Sequence, residues 1–125
     1  MTARIAMLLC PDAKFLAEGF EKIALADGYF DVVAGNIQFG NCAVFGPVYI
    51  NSRVTSTIHD YFLSKSLDKL QLDGVMALIT SRYTMDKRDT GVQRYLAHRA
   101  DFIGAIRLPN TGFKANAGIE VTTDI

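Results

Sequence analysis

Apolar residues recur along the chain with two spacings, one typical of helices and the other typical of strands. Stretches with apolar residues three or four positions apart predict helices over residues 2–10, 57–70 and 89–100. Short apolar or β-branched stretches predict strands between these helices. The predicted strands cover residues 13–17, 30–35, 75–80, 102–108 and 119–125.

Residues that typically end helices, cap helices or form turns support the boundaries of these predicted elements. Pro11 ends the first helix, because proline removes a backbone donor and clashes with the preceding turn. Thr57 is a candidate N-cap for the second helix, together with the two residues before it. The pair Asp73-Gly74 predicts a turn into the strand at 75–80.

The strand at 30–35 is the clearest in the chain. It is a continuous apolar stretch closed by Gly35, which predicts a strand buried on both faces. Strands separated by helical crossovers predict an α/β fold with a mainly parallel sheet. Ligands of such sheets bind beyond the carboxyl ends of the strands, which directs attention to the loops after residues 35 and 80.

Composition limits the possibilities further. The chain has 125 residues, half of them hydrophobic, which suits a single domain with a core of its own over 1–125. No apolar stretch approaches the roughly 20 residues of a membrane span, and the N-terminus lacks a leader pattern. We therefore expect a cytoplasmic protein without a membrane partner. Cys10 and Cys42 lack a CxxC spacing and are interpreted as reduced, structural cysteines.

The formal net charge is zero, but the charges are unevenly placed. Residues 1–81 contain six basic and eight acidic side chains, whereas residues 82–114 contain seven basic and three acidic ones. This basic segment is either an ordinary solvated surface or an edge that faces phosphates.

Several kinds of active site are excluded. The sequence has no GxGxxG and no GxxxxGK[ST] motif, and no Gly-x-Ser-x-Gly elbow. His59 and His98 fall on different predicted helices, too few and too far apart for a metal site, so no metal is expected. Ser64, Ser66 and Ser81 lack a base partner for nucleophilic catalysis.

The most informative segment is Asn36-Ile37-Gln38-Phe39, which follows the strand at 30–35. Asparagine and glycine after a strand are ordinary turn formers, so the segment can also be structural. The combination nonetheless resembles the catalytic motif of adenine-N6 DNA methyltransferases, of the kind found in type I restriction-modification systems and in large plasmid and phage helicase–methylase fusion proteins. Further segments resemble that family in order and spacing over essentially the whole chain: 58–62, 67–70, 74–82, 84–87, 106–111, 113–118 and 121–125.

The resemblance implies a function and a set of site residues. The function is methylation of adenine N6 in DNA with S-adenosylmethionine as the cofactor. The Asn36 side-chain oxygen and the Ile37 carbonyl would accept the two amine hydrogens, and Phe39 would stack on the flipped base. Residues implied in contacts to the base or to DNA are Gln38, Gly40, Arg82, Lys87, Arg88 and Lys114. Glu18, Gly19 and Phe20 would border the cofactor.

The chain also departs from that family. Gln38 replaces the usual proline, which costs about 0.4–1 kcal/mol of loop order. The glycine-rich cofactor loop is missing, which predicts a partial Rossmann-like methyltransferase fold without its first two strands. On this interpretation the chain is a fragment, inactive alone, whose partners are DNA and the missing upstream part or an adjoining chain. The alternatives are a cofactor-free DNA-binding remnant and a truncated gene product without function.

Overall fold

The computed structural model describes residues 2–37, 40, 44, 57–118 and 120–125. In this part of the chain helices and strands share one α/β unit, as the alternating pattern predicts. The elements in chain order are α1 (Thr2–Leu9), β1 (Phe30–Asn36), α2 (Ile58–Lys69), β2 (Leu70–Ser81), α3 (Tyr83–Asp86), α4 (Gly91–Ala97), β3 (Arg107–Leu108), α5 (Lys114–Ala117) and β4 (Thr123–Asp124).

The described strands form a four-stranded sheet in the order β1-β2-β4-β3. β1 and β2 run parallel, whereas β4 pairs antiparallel with both β2 and β3. The prediction of a mainly parallel sheet is therefore wrong, because the C-terminal strands return along β2 instead of crossing over.

Helix α2 begins where its capping residue predicts. The Thr57 hydroxyl accepts a hydrogen bond from the Asp60 backbone N–H at 3.2 Å. Such a cap stabilises a helix by about 0.5–2 kcal/mol. The chain then passes directly from Lys69 into β2 at Leu70.

The predicted turn at Asp73-Gly74 is wrong, because both residues lie inside β2. Asp73 adopts a left-handed conformation with φ 64°, and the register shifts from Phe30 opposite Leu70 to Val32 opposite Val75. The pair thus forms an irregularity within the ladder. A Cβ at Gly74 would lie 3.0 Å from the Asp31 backbone oxygen, so the glycine permits a close approach of the two strands.

Three other predicted strands are absent or shorter. Residues 13–17 form no strand, and the segment 102–108 is reduced to β3. The apolar side chains of Phe102 and Ile103 are 69 % and 89 % exposed, and no strand in the described part of the chain pairs with them. The segment 119–125 contributes only β4, and the helix at 89–100 is shortened to α4.

Among the described residues, the core cluster lies between α2 and α4. Tyr61 and Val92 are 2 % and 5 % exposed and pack against each other. Partly buried apolar side chains surround them: Phe20, Val44, Phe62, Tyr95 and Leu96. The core thus draws its members from both helices and from the segment before β1.

Candidate functional site

The carboxyl end of β1 is held against β2. Asn36 lies in register with Ile79, and the Ile37 backbone N–H donates to the Ile79 carbonyl at 2.9 Å. The Asn36 side chain is exposed, whereas Ile37 is only 2 % exposed. The Asn36 side chain therefore faces solvent, while the buried Ile37 next to it fixes the backbone against β2.

The two faces of the β1–β2 ladder differ in burial. Side chains alternate between faces along a strand, and residues in register share a face. Val32, Ala34 and Asn36 thus lie on one face with Val75, Ala77 and Ile79. Val32 is 61 % and Val75 is 49 % exposed, so this face, which we call the open face, is uncovered around these two residues and becomes buried only towards the end of β2. The prediction that β1 is buried on both faces is wrong.

The end of β2 on the open face carries two buried hydroxyls. Ser81 lies two residues beyond Ile79 and pairs directly with Thr123 of β4. Ser81 is 7 % exposed and Thr123 is 0 % exposed. Within the described residues, neither hydroxyl has a hydrogen-bond partner. The sequence did not single out Thr123, and it set Ser81 aside for lack of a base.

On the opposite face, the end of β2 is held by side-chain contacts. The Thr80 and Thr84 hydroxyls are 2.7 Å apart and connect β2 to α3. Arg107 binds both carboxylate oxygens of Asp124, at 2.8 and 3.0 Å, and also contacts Asp86 at 2.8 Å. Hydrogen bonds to Asp124 and Asp86 raise the pKa of the Arg107 guanidinium further above its usual range. This network fixes the end of β2 and its neighbours.

Most cations of the basic segment have partners of their own. Lys87 binds the buried carboxylate of Asp60 at 2.5 Å, and Lys114 binds Glu120 at 2.5 Å. The Arg82 guanidinium lies 5.2 Å from the centre of the Tyr83 ring. These contacts leave fewer free charges than the sequence count suggests.

Of the remaining residues predicted to contact the base or DNA, some are described by the structure and others are not. Arg88 is exposed, and Gly40 is half-buried. Gln38 and Phe39 lie outside the described residues. Of the predicted base-contacting residues, Asn36, Ile37 and Gly40 are the ones that the described part of the chain includes.

The candidate cofactor residues lie elsewhere. Glu18 and Gly19 are exposed, and the Phe20 ring packs on Phe62 at 4.9 Å between centroids. The buried Lys65 donates to the backbone carbonyls of Phe20 and Ile23, and burial lowers the pKa of its ammonium group. This segment is thus tied to α2.

Phe20 also lines an open groove of about 230 Å³ beside β1. Its other lining residues are Leu25, Phe30, Val32, Val33, Ala34, Ser66 and Lys69. No described residue in this lining is a carboxylate that could bind ribose hydroxyls. The lysine is already occupied by the Leu25 carbonyl and by Asp27. The described residues do not by themselves fit S-adenosylmethionine.

His59 of α2 should make the stability of the fold depend on pH. It is 9 % exposed, and burial lowers the pKa of its imidazole below the usual value of about 6.5, with the nearby Lys87 also lowering it and Asp60 raising it. The folded state therefore binds a proton less readily than the unfolded state does. As the pH falls below about 6.5, the unfolded state takes up the proton first and the fold loses stability.

We expect the free energy of unfolding to fall by up to about 1 kcal/mol between pH 7 and 5.5, since one group contributes at most about 1.4 kcal/mol per pH unit. Urea denaturation across that range measures it. His59→Gln should flatten the dependence, whereas His98→Gln, at an exposed histidine, should retain it. An unchanged slope in His59→Gln contradicts the assignment.

Two further properties concern partners. Among the described residues there is no group of three or more His, Cys, Asp or Glu side chains placed to hold a metal ion. The described helices include none that is long and apolar enough to cross a membrane.

Comparison with known proteins corrects the family identification. No protein family and no solved structure matches the chain. The chain is similar along its whole length to Defense against restriction protein B of Escherichia phage P1, at 30 % identity over 131 aligned positions. It spans 6 % of that protein's length. The identification as a member of the adenine-N6 DNA methyltransferase family is therefore wrong, and the similarity found is to part of a phage protein named for defence against restriction.

Proposed function

We propose that the chain presents a target adenine of DNA for methylation at N6, as one part of a larger protein that acts in defence against restriction. The observation that carries the proposal is the placement of Asn36 at the carboxyl end of a parallel strand, exposed on the open face. Ligands of α/β sheets bind at such strand ends. The proposal does not depend on membership of a methyltransferase family.

The chemistry requires acceptors for an amine. The lone pair of the adenine amine is delocalised into the ring, so the nitrogen attacks a methyl group only while acceptors hold its hydrogens. The Asn36 side-chain oxygen is one acceptor and the Ile37 carbonyl is the other. The bond from the Ile37 N–H to Ile79 supports this role, because preorganised dipoles on a rigid element stabilise a developing charge best. Phe39 would stack on the base after it leaves the duplex.

The exposure of the open face supports the idea that the proposed activity depends on additional polypeptide. A parallel ladder is normally covered on both faces, yet Val32 and Val75 are exposed here. We infer that additional polypeptide covers this face and completes a Rossmann-like sheet. S-adenosylmethionine, the methyl donor, would be bound mainly by that polypeptide, with Glu18, Gly19 and Phe20 at the border. No step through the cofactor is derived from the described residues.

The similarity to a restriction-defence protein supports the biological setting. That protein is far longer than this chain, since the match covers 6 % of it. A modified base within a recognition sequence changes what a restriction enzyme contacts, so adenine methylation is a chemically direct means of defence. A cytoplasmic location belongs to the same proposal.

The competing function, a DNA-binding remnant without cofactor, receives less support. It depends on the basic segment 82–114, where ion pairs occupy Lys87, Arg107 and Lys114. Phosphate binding would have to compete with those carboxylates. That alternative retains the base pocket at Asn36 as well, so it differs from the proposed function in lacking methyl transfer.

The experiment that tests the proposal is methyl transfer from tritium-labelled S-adenosylmethionine to DNA. It uses the polypeptide encoded by the whole reading frame in which these residues lie. Digestion to nucleosides then identifies the labelled base. Label in N6-methyladenine is the expected result, and its absence from a folded protein, or label in another base, overturns the proposal.

A further inference from the structure

The loop after β2 begins with an aromatic side chain beside a cation. Tyr83 is the first residue of α3, two residues beyond the end of β2, and is 66 % exposed. The Arg82 guanidinium lies over the Tyr83 ring, 5.2 Å from its centre, and the attraction between cation and ring holds the two side chains together. One ring face is thus covered by a cation, and most of the side chain faces solvent. We call this pair of residues the Tyr83 platform.

The backbone beneath the platform is fixed. The Arg82 N–H donates to the Thr122 carbonyl at 3.2 Å, which ties the platform to the segment before β4. The Arg82 carbonyl accepts from the backbone N–H groups of Met85 and Asp86, at 3.2 and 3.0 Å. A partner that binds the platform therefore meets groups that are already in place, which lowers the ordering cost of binding.

The platform lies at the same edge of the sheet as Asn36. β1 and β2 run parallel, and Asn36 is in register with Ile79, four residues before Tyr83. Even a fully extended chain would place the Cα atoms of Asn36 and Tyr83 no more than about 15 Å apart. Stacked nucleotides rise about 3.4 Å each along one strand. A base on Tyr83 thus lies within about four nucleotides of a base held at Asn36.

A second arginine–tyrosine pair shows what distinguishes the platform. Arg99 lies over the Tyr95 ring, 5.1 Å from its centre, but its guanidinium also forms an ion pair with Asp68 of α2. Tyr95 is half-buried and packs against the core cluster. That pair therefore serves the packing against α2. In contrast, Arg82 forms no ion pair with a described carboxylate, and Tyr83 is not among the residues of the core cluster.

The segment that contains the platform also carries available cations. Arg82, Arg88 and Arg94 are exposed, and within the described residues none of them pairs with a carboxylate. Their guanidinium groups are available to phosphate oxygens, which arginine binds with two parallel N–H donors. A surface that offers both an exposed ring and unpaired cations matches single-stranded nucleic acid, whose bases stack and whose phosphates are anionic.

We propose that the Tyr83 platform stacks an unpaired DNA base that flanks the target adenine, while the Arg82 guanidinium contacts the adjoining phosphate. This inference rests on the proposed function, since the adenine at Asn36 places the strand. Stacking on Tyr83 needs an exposed base face, which a paired and stacked duplex does not offer. The form of the substrate that this site binds is therefore single-stranded DNA. Its sequence beside the adenine matters little, because every base has a face that can stack.

The test is DNA binding by the polypeptide encoded by the whole reading frame, measured by fluorescence anisotropy over a range of salt concentrations. The probes are an oligothymidylate, a fully abasic strand of the same length and charge, and a duplex of alternating guanine and cytosine. The variants are Tyr83→Ala, Tyr83→Phe and Arg82→Gln. Tyr29→Ala is the matched control, because Tyr29 is 68 % exposed but precedes β1 and so lies at the opposite end of that strand from Asn36.

We expect the wild type to bind oligothymidylate more tightly than the abasic strand. Tyr83→Ala should lose about 5- to 20-fold in affinity for oligothymidylate, towards the lower end of the range for one stacked base, and should bind the abasic strand and the duplex like the wild type. Tyr83→Phe retains the ring and should bind every probe like the wild type, as should Tyr29→Ala. Arg82→Gln should lower the slope of the salt dependence by about one.

Three outcomes overturn the platform. The first is a wild type that binds neither strand or does not prefer oligothymidylate to the abasic strand. The second is a Tyr83→Ala variant that keeps this preference. The third is an equal loss with all three probes, because Tyr83 then acts through the fold or contacts additional polypeptide.

Failure of the platform is distinguishable from failure of the proposed function, because none of these probes contains adenine. Label in N6-methyladenine decides the proposed function, whatever the binding of oligothymidylate. In a protein that methylates DNA, Tyr83→Ala should raise KM for single-stranded DNA and leave kcat unchanged. A lower kcat with an unchanged KM contradicts the platform, because Tyr83 would then act on the chemical step.

Discussion

Tyr61→Ala should cost about 3–5 kcal/mol of folding free energy, the usual effect of truncating a large aromatic side chain in a core. Tyr61 is 2 % exposed and packs with Val92 at the centre of the described core. Its ring centroid lies 6.3 Å from that of Phe62, and the Lys65 ammonium lies 5.8 Å from it. Typical domains have only about 5–15 kcal/mol in total, so this loss brings a small domain close to unfolding.

Urea denaturation followed by circular dichroism measures the effect. Tyr61→Phe retains the ring and should lose much less stability than the alanine variant. Tyr29→Ala is the control, because Tyr29 is 68 % exposed and its truncation should change the free energy of unfolding by under about 1 kcal/mol. Similar losses in Tyr61→Ala and Tyr29→Ala would show that the α2–α4 packing does not carry the stability of the domain.

The elements that were predicted correctly are those with local determinants. The helix at α2 has a helical spacing of apolar residues and a capping threonine, and both depend only on nearby residues. The strand β1 is a short apolar stretch closed by glycine, and its existence was likewise predicted. Its burial was not, because burial depends on what covers the sheet.

Non-local pairing explains the errors. Phe102 and Ile103 have the composition of a strand, but a strand forms only where a partner supplies the ladder, and none pairs with them among the described residues. The residues Asp73-Gly74 have the composition of a turn, yet inside β2 they fit a ladder irregularity next to Asp31. In both cases tertiary contacts decided between two conformations that the local sequence allows.

The residues of the candidate site also differ in whether local sequence or non-local pairing determines their position. The position of Asn36 at the end of a strand could be predicted from the sequence, and the same rule points to the loop after Thr80 and thus to Ser81. The burial of Thr123 beside Ser81 could not be predicted, because it depends on the antiparallel return of β4 along β2. The family identification rested on several short segments in order and spacing, and such segments discriminate poorly, since an asparagine after a strand, for example, is also a simple turn former.

The proposed role of Asn36 leads to the largest expected effect on activity. In the longer polypeptide that we propose to methylate DNA, Asn36→Ala should reduce the chemical step roughly 100- to 1000-fold, or about 3–4 kcal/mol. The reason is that one preorganised acceptor is removed where positive charge develops on the amine. The comparable case is the loss of one donor from an oxyanion hole, where the same magnitude is found.

Single-turnover kinetics at saturating DNA measures this effect, because it separates chemistry from binding and product release. Cofactor affinity should stay within about 2-fold in Asn36→Ala, since Asn36 contacts the base, whereas Phe39→Ala should weaken DNA binding more than it slows the chemical step. The melting temperature of each variant is the control. Asn36 is exposed at the strand end, so its truncation should leave the fold intact. Full single-turnover activity in a folded Asn36→Ala protein means that β1 does not present the target base, and the amine must then be held elsewhere.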